Sequence, residues 1–180
     1  MRAFLDRLYA AALWLAAASF AVIAVLVLVQ VLGRMADRIA RVIGAPPPGI
    51  TVPSIAEIGG FLFLGGVFLG LAGTFAAGGH VRVTLLTGAL PERAGRALAT
   101  LVAGGGAALA LFASWSSWTQ FIDSVTFDAV SYGMVKVPLA IPQGVMTFGL
   151  VLLAVALIDA MVTLARGGEP TYAANEGGEG

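Results

Sequence analysis

Four long apolar runs alternate with short polar stretches along the chain. They cover about residues 8–32, with Gln30 the only strongly polar member, then 58–77, then 97–121, softened by Ser114, Ser116 and Ser117, and finally 144–165. At ~1.5 Å rise per residue each run is long enough, as a helix, to cross the ~30 Å hydrocarbon core of a bilayer. A membrane β-barrel would instead need strands that alternate apolar and polar faces, which uninterrupted runs of this length do not. The pattern predicts an all-α integral membrane protein with four transmembrane helices in residues 1–166. A Gly- and Glu-rich tail, 167–180, reads as disordered, with no further span expected after it.

The polar stretches refine this plan. Arg2 and Arg7 precede the first run as they would in a signal peptide, but the run is much longer than the ~7–15 residues of a signal core and reads as an uncleaved span. After it, Arg34, Arg38 and Arg41 recur at helical spacing with Met35, Ile39 and Val42 between them, predicting an interfacial amphipathic segment over 34–43. Its arginines would snorkel to lipid headgroups or form a docking surface for an extracytoplasmic protein. Ala45-Pro-Pro-Pro-Gly49 and Pro53 end any helix and turn the chain back. With the N-terminus inside, Arg2, Arg7, Arg82, Arg93, Arg96 and Arg166 lie on the cytoplasmic side and Arg34, Arg38, Arg41 and Lys136 outside. That positive-inside bias favours cytoplasmic termini.

Composition removes whole classes of chemistry. The chain is 59% hydrophobic and 11% charged, with mean hydropathy +0.95, and water could not cover that much apolar surface. It has no Cys, which excludes disulfides and thiolate-held metals, and His80 is its sole histidine, too few for a His-ligated haem or zinc site. No nucleophile, base and orienting acid gather in the sequence, so no catalytic residue, cofactor or metal is expected, and no nucleic acid partner.

What remains points to packing. Gly59, Gly66, Gly70, Gly73 and Ala77 fall within one arc of the second helix, and Gly66-Val-Phe-Leu-Gly70 has the GxxxG spacing that admits close backbone approach. The helix that fills this face belongs either to this chain or to another subunit, and Gly66→Leu or Gly70→Leu should disrupt it. Gly104, Gly105 and Gly106 offer similar closeness or a bend. Asp159 is the one ionisable residue clearly within a span, about two turns from its end, and reads as structurally paired in preference to ion-coupling. Arg34 and Glu57, at the end of the first span and the start of the second, could pair across the two helices.

The stretch FLGLAGTFAAGGHVRVTLL at 68–86, followed by Leu90-Pro91 and a basic turn, resembles the DctQ-type small permease subunit of tripartite ATP-independent periplasmic (TRAP) transporters. The similarity runs from about Val31 to Asp159. It includes Gly79, His80 and Arg82 in that stretch, Arg34, Glu57, and the PLAIPQ motif at 138–143 with Pro138, Pro142 and Gln143. The resemblance implies a heteromeric secondary transporter. A large permease subunit would hold the substrate and sodium sites, a periplasmic binding protein would deliver an organic acid, and this chain would brace the large subunit among membrane lipids and help dock the binding protein. A Gly-faced bundle without a reaction centre suits that role. The other readings of the residues alone are a small integral-membrane enzyme, whose His80, Asp159 and Glu57 would sit on both sides of the membrane, and a free-standing four-helix adaptor.

Overall fold

In the computed structural model, which describes residues 2–79 and 90–168, the chain forms four helices: α1 (Arg2–Val42), α2 (Ile55–Ala76), α3 (Glu92–Thr126) and α4 (Ala140–Ala165). All four are long and apolar enough to cross a membrane. The motif residues His80 and Arg82, and the tail from 169 onward, lie outside the described residues. The amphipathic stretch 34–43 is helical but is not an element of its own, because α1 runs without a break through 41 residues. At ~1.5 Å per residue α1 is about 60 Å long, roughly twice the hydrocarbon thickness.

Neighbouring helices form an open row in the order α1, α2, α4, α3, not a closed bundle. α1 and α2 are antiparallel: Gly66 lies on the ring of Phe20, Gly70 on the Ala16 Cβ, and Gly73 on Leu13 and the Tyr9 carbonyl. α2 and α4 run parallel, with Gly65 beside Val145 and Gly149 against the backbone of Phe68. α3 returns antiparallel to α4, pairing Gly144 with Phe121, Gly106 with Leu157 and Gly104 with Met161. The core that joins α1, α2 and α4 is Tyr9, Ala12, Ala16, Leu69, Ala72, Leu152 and Ala156. Its four alanines let the helices approach closely, because lipid supplies no hydrophobic drive for helix association and leaves dispersion at close range and interhelical hydrogen bonds to hold the seam.

The α3 seam follows the same rule through a different residue. Ala103, Ala107, Ala110, Ser114 and Ser117 are buried at alternating four- and three-residue spacing, the period that keeps one stripe facing a left-handed partner. Within it Ser117 Oγ and Thr147 Oγ1 share a buried hydrogen bond of 2.6 Å between α3 and α4. Thr147 also donates to the Gln143 carbonyl at 2.8 Å, and Ser114 to the Ala110 carbonyl at 2.7 Å, so these hydroxyls enter the apolar layer with partners.

A Cβ on Gly149 would run into the Phe68 carbonyl, whereas one on Gly59 meets nothing within 4 Å. Gly149→Ala should therefore cost ~1–3 kcal/mol as overpacking against main chain that has no rotamer to change, and Gly149→Leu more. Gly59→Ala should be near neutral. Thermal unfolding of the detergent-solubilised variants, followed by helical circular dichroism, measures the difference.

Candidate interaction surface

At one end of the row the α1–α2 and α3–α4 connections meet the C-termini of α1 and α3 and the N-termini of α2 and α4. Each connection is held by side chains projecting from the helix beside it. In the first, residues 43–54, the Gln30 Oε1 accepts from the Val52 N–H at 2.8 Å and the Asp37 Oδ1 from the Gly49 N–H at 2.9 Å. The connection thus doubles back along α1, and Gln30, the only strongly polar member of the first apolar run, has a main-chain partner in it. Arg34, Arg38 and Arg41 stay exposed, Arg41 donating through Nε to the Asp37 carbonyl at 3.1 Å.

The second connection, 127–139, is a small hairpin-like turn. Ser131 N–H donates to the Val137 carbonyl and Leu139 N–H to the Ala129 carbonyl, both at 2.9 Å, and Val130 and Pro138 pair in an antiparallel bridge. The almost fully buried Ser131 ties the interior: its Oγ accepts from Val137 N–H at 3.1 Å and donates to the Val135 carbonyl at 3.2 Å. Two residues at the start of α2 then pin the turn from below. Glu57 Oε1 accepts from Gly133 N–H at 3.1 Å, and Ser54 Oγ from Val135 N–H at 3.0 Å. A Cβ on Gly133 would overlap the Glu57 carboxylate, so glycine is required for this close approach. Ser54 itself adopts a left-handed backbone, φ 54°, at the turn into α2.

This corrects the expected partner of Glu57: it engages Gly133, 76 positions away, and does not form an ion pair with Arg34. Arg34 instead lines an open groove of about 410 Å³ with Gln30, Ile55 and Gly59. Among the described residues, Glu57 Oε2 and Gln143 Oε1 are buried at this end without a hydrogen-bond partner. Pro138 is exposed in the bridge, while Pro142 is buried in the first turn of α4, where its missing N–H costs no helical bond. Above the pinned turn, Tyr132 and Met134 are 98% and 89% exposed on either side of Gly133, and Phe127 is exposed beside them. Large apolar side chains this open, on a turn held by side-chain-to-main-chain bonds from Ser131, Glu57 and Ser54, form a preorganised contact surface.

The other predicted residues lie elsewhere. Gly66, Gly70 and Gly73 face α1 of the same chain, while Gly59 opens onto the groove with Arg34. Gly79 is exposed past the end of α2, where its N–H donates to the Thr74 carbonyl at 2.8 Å. Asp159 is half-buried toward the opposite end of α4, unpaired with any arginine among the described residues. No group of three or more His, Cys, Asp or Glu able to hold a metal occurs among the described residues. The sequence reading did not reach Ser54, Ser131, Tyr132, Gly133 or Met134. Their signal was weak: a Ser-Tyr-Gly-Met run between two spans has the chemistry of many turns.

Replacing Glu57 by Ala removes a hydrogen bond to a charged acceptor, worth ~1.5–3 kcal/mol, so exchange of the Gly133 amide should accelerate roughly 10- to 100-fold by hydrogen–deuterium measurements. Ser54→Ala should give a smaller, local acceleration at Val135.

The family described as "Tripartite ATP-independent periplasmic transporters, DctQ component" matches residues 23–167. No curated protein and no solved structure matches the chain. The matched span takes in all of α2, α3 and α4, the C-terminal half of α1, and both pinned connections. With three membrane-competent helices and the C-terminal half of a fourth in the matched region, the chain belongs to the DctQ family, the small permease components of TRAP transporters.

Proposed function

We propose that this chain is the bracing and docking subunit of a TRAP-type symporter. In this reading it holds a large permease subunit in the bacterial inner membrane and presents the 127–139 turn to a periplasmic substrate-binding protein during ion-coupled uptake of an organic acid. Both termini are cytoplasmic, which places the two pinned connections in the periplasm. The chain itself performs no chemical turnover.

The observation that carries the docking half is the exposure of Tyr132 and Met134 on a turn fixed to α2 by Glu57 and Ser54. A partner meeting this surface loses little conformational freedom to it, because the main chain is already ordered, and large exposed side chains at the centre of a contact are those that carry binding energy. The bracing half is supported by the outer helices. α1 shows Trp14, Leu15, Val25 and Leu28 on its open face and α3 shows Leu101, Leu109, Phe112 and Trp115, so each has apolar surface that the row leaves uncovered.

Tyr132→Ala with Met134→Ala should weaken docking of the binding protein by roughly 30-fold, the scale of losing ~2 kcal/mol at a contact centre, while co-purification of the large permease subunit stays unchanged. Surface plasmon resonance on the reconstituted membrane complex gives the first quantity, and affinity purification with mass spectrometry the second. Unchanged docking would rule out this turn as the contact. A wild-type chain that purifies without any large polytopic partner would rule out the bracing role.

A further inference from the structure

At the end of the row that carries the N-terminus, α3 and α4 enclose an open cavity of about 600 Å³ lined by Glu92, Arg93, Arg96, Ala97, Thr100, Leu101, Leu164 and Ala165. Its α3 wall is a single helical face, positions 93, 96, 97, 100 and 101 recurring at three- and four-residue spacing. Along that face the chemistry changes in one direction. The two arginines come first, Thr100 follows with its hydroxyl already given to the Arg96 carbonyl at 2.9 Å, and Leu101 comes last, 74% exposed. The rise from Arg93 to Leu101 is about 12 Å. Leu164 and Ala165 close the apolar side from α4, and the Arg96 guanidinium reaches across to Gly167, next to Arg166.

We propose that this cavity binds the headgroup of an anionic phospholipid, its phosphate between Arg93 and Arg96 and an acyl chain along Leu101 and Leu164. Guanidinium groups offer forked donors that match phosphate oxygens, and basic pockets between membrane helices at the headgroup level suit anionic lipids. Among the described residues the opposing charge at this face is Glu92, which pairs with Arg96 at 2.9 Å. With side chains 86% and 44% exposed, that pair is screened and readily re-formed, and Arg93 has no carboxylate partner among the described residues. Pro91 supplies neither a side-chain cap nor an N–H at the start of α3, so the positive end of a 35-residue helix also faces this level. A small soluble anion would use the arginines but make no use of the apolar side, where Leu101 is exposed beside the buried Leu164. A lipid uses both, and that decides between them.

The test uses the delipidated full-length chain in non-ionic detergent, titrated with phosphatidylglycerol or phosphatidylcholine of matched acyl chains and read by native mass spectrometry. The wild type should retain phosphatidylglycerol roughly 10- to 30-fold better than phosphatidylcholine, on the scale of two arginines near a lipid surface. Arg93→Gln with Arg96→Gln should abolish that preference, whereas Arg38→Gln with Arg41→Gln, at the other end, should leave it intact. Arg93→Gln alone, at an exposed side chain with no ion pair among the described residues, keeps the test valid if the double variant fails to fold, and it should lower the preference about threefold or more. Equal loss in both double variants, an unchanged ratio in Arg93→Gln, or inorganic phosphate at millimolar concentration displacing the lipid completely would each overturn the proposal, the last by identifying a soluble-anion site.

Discussion

Helices in hydrocarbon gain nothing by hiding from their solvent, so the row depends on how closely one backbone can approach another. The α2–α4 crossing at Gly149 and Phe68 is the point where this constraint is most severe, with a glycine on one helix seated on a main-chain carbonyl of the next. At Gly73 of α2 an added Cβ would lie only 3.1 Å from the Tyr9 carbonyl of α1, so here too the glycine faces main chain. From these two crossings the rest follows: α2 and α4 become the centre, α1 and α3 are held to them by alanine and serine stripes, and side chains large enough to separate the helices are pushed to the open faces.

That geometry explains what could be read from residues alone. Span number, helical class and family were legible because hydropathy is set by length and backbone satisfaction, and because the stretch at 68–86 is distinctive. The glycine face of α2 was legible as a face, though its occupant was open until Phe20, Ala16 and Leu13 were seen on it. The row order was not legible. A closed bundle and an open row need the same four apolar runs, and the difference rests on Gly149 and on the small stripe from Ala103 to Ser117, residue types that membrane helices carry for many reasons.

The pinned end was the hardest to foresee. Glu57 looked like a partner for Arg34 because opposite charges at adjoining span ends suggest a pair, yet its first carboxylate oxygen serves a backbone N–H from a turn on the far side of the row. In a half-buried turn an unmet N–H costs more than a solvated arginine gains, so the main chain takes the carboxylate. Gln30 and Asp37 follow the same preference, each spent on the returning first connection. Local sequence gives no sign of such bonds, because donor and acceptor are 12 to 81 positions apart.

An open row has a consequence that a closed bundle would not. A bundle turns every helix inward and shows the outside world one convex surface; a single layer is a partition, with two broad sides and no lumen between them. Its central helices, α2 and α4, are reachable from both sides at once, through Phe63 and Val67 on one and Phe148, Val151 and Val155 on the other. A solute has nowhere to pass within such a wall, but two different neighbours can lean on its opposite sides and feel the same pair of helices.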